Sequence, residues 1–508
     1  MPETTTPVDV LIVGSGIMGA ALARGLRDAD PSVRLLMIDG GPAVGSVPGL
    51  HLHDSEEPEI WSRYNQRVAT GVQGMYTGAD VTPDITDELR SVAPGMYNLS
   101  AMGEDAAAMP ASAVSWNVGG MGVHWTAATP WPAGEEVFDG GDPVQWEQDL
   151  ARARQLLDVQ ESPLGPTVPG RVVLDVLEDA FGAVSAEGRH PQPMPMAVAG
   201  NPTGTLLRTG PSRIFPPIAH GGDEAFELRA GTLAIAIRRD GDRVIGARVR
   251  ETATGREDDI DARTVIVCAD VVRTPQLLFA SGIRPAALGR FLNEHAFVTG
   301  RVVMDLERFG LTPDDLPRLR DGEFATDSLW LPQNGDAQPF HGQIMNTVFV
   351  DEEHRPFAYS VGLSFYTPVE SRPENRLVFS EEETDVTGLP RLRVEFEYSD
   401  RDRELIAAAQ DRIREIAERF GSFDPATECA VLAPGSSLHL TGTVRSGAAD
   451  DGTSVCDESG RVRGVEGLYL AGNGVIPTPV VCNATLTGTV TAVRATRAVL
   501  AELAAARV

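Results

Sequence analysis

The sequence predicts an α/β fold with two parts: a Rossmann-like domain assembled from separated segments, and an inserted α+β domain with an antiparallel sheet. Three observations predict it. The apolar run Val8–Val13 ends in Gly14-Ser15-Gly16-Ile17-Met18-Gly19, Ala20–Leu26 follows with helical spacing, and a second apolar run, Val33–Ile38, stops at Asp39. That is strand, tight turn, helix and parallel strand, with an acid closing the unit. From about residue 225 the chain turns to short β-rich runs. Phe226–Leu228, Leu233–Ile237, Val244–Glu251 and Thr264–Cys268 come first, with a turn at Asp240-Gly241-Asp242. Phe357–Phe365, Arg376–Phe379 and Leu392–Tyr398 then read as one antiparallel sheet, the last two joined across Thr387-Gly388. Finally, a strand at Leu468–Ala471 and a helix from about Ala484 to Ala505 return the C-terminus to the α/β pattern.

With 508 residues and 42% hydrophobic side chains, the chain has material for two ordinary domains. The expected division assigns 1–50, 95–150, 200–300 and 428–508 to the nucleotide-binding domain. It leaves 51–94, 151–199 and 301–427 to the substrate-binding domain. Between the anchors, Asp142 is placed to cap a helix at Pro143–Leu157. A proline-rich stretch (Pro163, Pro166 and Pro169, then Pro191, Pro193 and Pro195) frames a short helix. Asp400 is expected to cap a long one, in which Leu405, Ile406, Ala409, Ile413, Ile416, Ala417 and Phe420 recur at a 3.6-residue period. Its Arg401–Arg403 and Arg412–Arg419 charges alternate with acids and read as a solvated face paired at i,i+4. Residues 40–115 lack sustained periodicity and read as long excursions over the domain, a common location of function.

Composition excludes several chemistries. All 43 cationic side chains are arginine, so no lysine amine is available for a Schiff base or a P-loop phosphate contact. The formal charge of −29 repels nucleic acid and anionic membranes. No 18-residue apolar run exists to span a bilayer, and the start of the chain leads directly into a strand, so a cytoplasmic protein is expected. Cys268, Cys429, Cys456 and Cys482 show no CxxC pairing and are expected to be inert thiols. His51-Leu52-His53 with Asp54 lacks a second cluster to complete a metal site.

The chemistry-bearing residues begin with the glycine fingerprint. Gly14 permits the tight turn, Gly16 lets backbone approach a pyrophosphate, and Gly19 lets helix and strand pack closely. The helix N-terminus offers unpaired N–H groups to phosphates, and Asp39, twenty residues beyond Gly19, is placed to accept ribose hydroxyls. A second signal is the glycine-dense, then aromatic, stretch Val114–Pro130. There Gly119, Gly120 and Gly122 permit close approach to a flat ring, with Met121, His124 and Trp125 beside it. A third is Ser436–Arg445 with His439, followed by Gly467–Thr478 with Gly472 and Asn473, and then Cys482–Thr487, where Asn483 precedes a helix opening at Thr485. That helix start would favour negative charge developing on a bound ring.

The fingerprint, Gly-Gly-Met-x-x-His-Trp-Thr, His-x-x-Gly-Thr-x-Arg and Asn-x-Thr-Leu-Thr together resemble the glucose–methanol–choline (GMC) oxidoreductases. Gly119–Pro130 and Leu438–Arg445 most resemble the pyranose 2-oxidase branch. The resemblance implies FAD and oxidation of a secondary alcohol. His439 matches the general base that takes the hydroxyl proton, and Asn483 the residue that orients the same oxygen while hydride passes to flavin N5. Thr126 matches a threonine beside N5, and Ala234 a position whose backbone meets the adenine. His124 matches the histidine through which pyranose 2-oxidases attach FAD covalently. Gly122-Val123 stand where the fungal pattern has Ser-Thr, so the bond stays open and His124 is carried over as a flavin contact. The shorter chain looks closer to bacterial enzymes that oxidise glycosides, often at C3 and including C-glycosides. The expected partners are therefore a sugar or glycoside and O₂ or another electron acceptor. Arg63, Tyr64, Asn65, Trp330 and Gln333–Gln343 are looser candidates for the sugar pocket. A GMC enzyme acting on a non-sugar alcohol, and a non-catalytic flavoprotein, remain as alternatives.

Overall fold

A computed structural model describes residues 8–69, 95–200, 204–320 and 322–506, apart from the side chains of 65–69. Its first sheet is built on β1 (Val8–Val13), whose last four residues are buried, and β2 (Leu35–Ile38), wholly buried. Covered on both faces, such strands read as unbroken apolar runs. Five parallel strands lie in the order Phe226–Arg229, β2, β1, Glu257–Val267, Leu468–Leu470. The strand Glu257–Val267 serves two layers. Its second half pairs with β1 (Val10 opposite Thr264, Val13 opposite Val267), and its first half joins Arg243–Glu251 and Thr232–Asp240 in an antiparallel meander.

Helix α1 (Ile17–Ala29) and the C-terminal helix Thr485–Ala505 pack together with the helix Pro143–Leu157. The crossing is close at Gly25, where a Cβ would lie 2.9 Å from Thr496 Cγ2. Asp142 caps Pro143–Leu157 as expected, accepting the Gln145 N–H at 3.0 Å. The helix framed by prolines is longer than expected, 14 residues at Val168–Phe181.

A second sheet of six strands is antiparallel throughout, in the order Cys429–Val431, Ala296–Val303, Pro356–Thr367, His341–Val350, Asp327–Leu331, Gln192–Pro193. This corrects the expected composition of the antiparallel sheet. Phe357–Phe365 belongs here, whereas Arg376–Thr384 and Pro390–Glu395 form a separate hairpin. The helix Asp400–Phe420 covers one face, burying Ile406, Ala409, Ile413, Ile416 and Phe420 against Val298, Val302, Val361, Leu363 and Phe365. Its cap is Ser399, not Asp400: Ser399 accepts the Asp402 N–H, and Asp402 returns a bond to the Ser399 N–H at 2.8 Å, a reciprocal box that leaves Asp400 inside the first turn. Its arginines pair with i+3 or i−3 acids and with other segments, as Arg412 does with Glu415 and Arg419 with Asp179.

Alternation sends the intervening residues of this sheet the other way. His295 (just before its strand), Phe297 and Thr299, with Trp330, His341, Gln343, Met345, Ser364 and Tyr366, share the face opposite the helix, and most of them line a cavity shared with the first sheet.

The fingerprint glycines differ in what demands them. A Cβ on Gly14, at φ +108°, would sit 2.6 Å from Cys268 O, and one on Gly19 only 2.1 Å from Gly14 O. At Gly16 the nearest atom is Gly119 O at 3.7 Å, an ordinary contact. Gly19→Ala is therefore expected to cost about 1–3 kcal/mol in denaturant unfolding. Gly16→Ala should stay within about 1 kcal/mol of the parent in the same measurement.

Candidate active site

The cavity between the sheets, about 1320 Å³, exceeds the usual space for one small ligand and suits an elongated ligand with a substrate beyond it. At one end lie Gly14, Gly16, Asp39, Leu233 and Ala234. Asp39 is tied to the turn: Ser15 Oγ donates to Asp39 Oδ2 at 2.6 Å, the Ser15 N–H to the same oxygen at 3.1 Å, and the Gly41 N–H to Oδ1 at 2.9 Å. Burial raises the Asp39 carboxyl above the usual carboxylate range, against those hydrogen bonds. Ser15 also accepts the Gly119 N–H at 2.8 Å, joining the fingerprint to the second glycine loop. Sequence reasoning missed Ser15, which occupies a variable position of the motif.

Two helices begin at this cavity with no side-chain cap, at Ile17 and at Thr485. Their first-turn N–H groups favour an anion. With Gly16 unfilled by the chain itself, the cradle fits the diphosphate of a dinucleotide. Further along, Gly120, Met121, His124, Thr126, Gly472, Asn473 and Thr485 line the wall, and Asn473 Oδ1 is buried with no protein partner. Gly119 and Gly19 stand behind the wall. Gly119, at φ +95°, is packed so that a Cβ would meet Val123 Cγ1 at 2.4 Å, so its role is to shape the loop and not to approach a ring.

At the far end, His439 Nε2 lies 3.2 Å from Asn483 Nδ2, and His439 Nδ1 lies 2.9 Å from His295 Nε2. All three side chains are buried or nearly so, and burial pulls His439 down to about 4. The loop carrying His439 is held by Glu294, which accepts the N–H groups of Gly435 and Ser437 and the Ser437 hydroxyl (2.6 Å). Asn293 and Thr441 pair backbone to backbone beside it. Leu438, at φ +60°, is a non-glycine residue in the left-handed region, a conformation kept only where surroundings impose it. The loop before Asn483 is anchored by buried Glu136, whose Oε1 accepts the Val481 and Cys482 N–H groups at 2.7 and 3.0 Å. Neither Glu294, His295 nor Glu136 sits in a recognisable motif, so sequence reasoning passed over them.

The looser candidates separate. Gln343 reaches the cavity, and its Oε1 accepts from Asn483 Nδ2 at 3.4 Å. Trp330 and His341 lie buried behind it, and Gln333 binds Glu136 instead. Arg63 does not line the cavity, Tyr64 packs edge-on against His51 and His53, and the side chain of Asn65 falls outside the described residues. His53 bridges Asp54 and Glu323, which also pairs with Arg208, while His51 Nε2 bonds Trp125 O at 2.8 Å. These histidines brace the loop leading to Thr126.

Sequence profiles of the GMC oxidoreductases match residues 200–297 and 371–492. A C-glycoside 3-oxidase of Arthrobacter globiformis is 36% identical, covering 98% of this chain and 96% of its own length. A pyranose 2-oxidase of Emericella nidulans is 28% identical over 93% of this chain and 88% of its own. Among solved structures, pyridoxine 4-oxidase from Mesorbium loti superposes with a TM-score of 0.64 at 17% identity, covering 97% and 99% of the two chains, which shows the shared fold. The glycine cradle, the paired His439 and Asn483 and this near full-length similarity agree, and the chain belongs to the GMC oxidoreductase family, whose membership implies FAD.

Proposed function

We propose that this chain is an FAD-dependent sugar oxidoreductase that converts a secondary hydroxyl of a pyranose, held as a glycoside, to a ketone, with C3 preferred. The observation that carries it is the convergence of His439 Nε2 and Asn483 Nδ2, 3.2 Å apart, at one end of a cavity whose other end is the dinucleotide cradle. The glycoside and the C3 preference are supported by the relative at 36% identity, named a C-glycoside 3-oxidase, against 28% for the pyranose 2-oxidase.

A neutral imidazole whose pKa burial has lowered to about 4 has its lone pair ready at any ordinary pH. His439 Nε2 takes the hydroxyl proton, and Asn483 Nδ2 donates to the same oxygen as negative charge gathers there. Gln343 Oε1 holds the other amide hydrogen and keeps the amide from turning. Phe297 and Tyr366, both buried, screen the spot from water. Bound FAD would supply the hydride acceptor for the carbon bearing that hydroxyl, and O₂ or another acceptor would take up the electrons. His124 Nε2 is engaged by Asn117 Oδ1 at 3.1 Å, the Asn117 amide being oriented by Nδ2 donating to Val118 O at 2.9 Å, which supports FAD held without a covalent bond.

Anaerobic addition of pyranosides to the purified protein is expected to bleach the flavin absorbance, with a 3-keto product; bleaching by simple alcohols alone would turn the reading to a non-sugar enzyme. His439→Ala should retain FAD and lose about 10²–10⁴-fold in turnover, the range of general-base contributions. The lowered pKa means the base is lost only as pH falls towards about 4, so the acid limb of kcat/KM should lie there and not near 6.5. Acid precipitation should release all the flavin into the supernatant; flavin that stays with the pellet would establish attachment.

A further inference from the structure

The cavity face of the six-stranded sheet holds more buried polar groups than base and amide account for. Trp330, His341 and His295 are each no more than 2% exposed, and each is connected, directly or in turn, to His439 or Asn483. The direction of those connections is fixed at both ends by groups that cannot reverse.

At one end, the Trp330 indole N–H, which can only donate, points to His341 Nδ1 at 3.0 Å. His341 Nδ1 is therefore bare and its single proton lies on Nε2, the ring being kept neutral by burial that takes it down to about 3. His341 Nε2 and Asn483 Oδ1, a donor and an acceptor, are both buried outside hydrogen-bond distance of any partner, and the two side chains interact as a polar contact. This sets the Asn483 amide with oxygen towards His341 and nitrogen towards His439 Nε2, which must then be a lone pair. At the other end, the Val480 carbonyl can only accept, and it does so from His295 Nδ1 at 3.3 Å. His295 Nε2 is then bare and accepts the His439 Nδ1–H at 2.9 Å. The Val480 end fixes the His439 proton on Nδ1, and the polarity of the Trp330 end agrees with it.

We propose that Trp330, His341 and His295 are positioning residues in a one-way polar chain, from indole to carbonyl, that locks His439 in the Nδ1–H tautomer, with the Nε2 lone pair facing Asn483 and the place a substrate hydroxyl would take. When His439 takes the hydroxyl proton, its Nδ1–H stays bonded to His295. The carbonyl at the end of the chain takes no proton, so the proton can go no further than His295 and leaves through the cavity side of His439 Nε2. The titratable neighbours of His439 are His295, His341 and Tyr366, with Glu294 holding its loop from behind.

The tautomer lock is a statement about the protein alone, whereas its value for turnover rests on the base reading above; two measurements separate them. Long-range ¹H–¹⁵N correlation of histidine-labelled holoenzyme, with His439 assigned by difference from His439→Ala, reads the tautomer directly. The parent is expected to show Nδ1–H, and His295→Gln, whose Oε1 accepts the same proton, to keep it. His295→Leu should give a mixture with Nε2–H. An Nε2–H tautomer in the parent, or an unchanged tautomer in His295→Leu, overturns the lock. In turnover, His295→Leu should lose about 10²-fold in kcat with flavin content and KM little changed, and His295→Gln should recover at least tenfold. Equal losses in both variants would mean packing alone and overturn the positioning role. If His295→Leu fails to fold, Trp330→Phe, which keeps the ring and removes only the donor, is read in the same two ways. A His439→Ala enzyme at full activity would sink the base reading and leave the tautomer result standing by itself.

Discussion

Everything at the catalytic end depends on burying an imidazole without charging it. Burial makes the cation costly, so His439 rests neutral, but a neutral ring has two tautomers and only one presents a lone pair to a substrate. Burial alone therefore gives a base that is uncharged and undirected. Direction comes from the partners, and these must also be neutral, or their charge would reset the ring. His295 and His341 meet that requirement because the same burial holds both well below the ordinary histidine range. Three imidazoles and an amide thus give a fixed polarity with no ion among them.

The two sheets divide the remaining work in a way their strand patterns explain. In the parallel sheet both faces are apolar, so function appears only where strands end: at the turn after β1, at Asp39 after β2, and at Gly472 after Leu468–Leu470. In the antiparallel sheet one face lies under the helix Asp400–Phe420 and the other is free to carry chemistry along its whole length. One sheet supplies loop ends for a long, anionic ligand. The other supplies a rigid floor on which side chains two residues apart stand side by side, which is what a hydrogen-bond chain requires.

This division also governs what could be read from the sequence. The unit β1–turn–α1–β2 was legible because its signals are local: an apolar run, three glycines at fixed offsets, an acid at the strand's end. The helix Pro143–Leu157 was legible through its cap and proline. The strands Ala296–Val303, Asp327–Leu331 and His341–Val350 were not, because their inner face carries Trp, His, Gln, Met and Thr in place of the simple polar face that marks an alternating strand. His439 and Asn483 were found through motifs, whereas His295 and Glu294 act through long-range contacts (144 and 143 residues from their partners) that no spacing reveals. Ser399 displaced Asp400 as a cap for a smaller reason: two acids and a serine compete within four residues, and reciprocal bonding with Asp402 decides between them.

A chain that ends on a carbonyl has a consequence for how a catalytic cycle closes. Had His295 been followed by a carboxylate or a water channel, the proton taken by His439 could drain away behind the ring. Val480 offers only a lone pair to His295, and Asn483 and Gln343 occupy the flank, so the cavity side of Nε2 is the exit. Proton and ketone then leave by the same side, and the imidazolium beside the product persists until that side opens to solvent. The residues that orient the base also oblige it to be reset where the substrate enters, which ties the readiness of His439 for the next turnover to clearance of the product from the last.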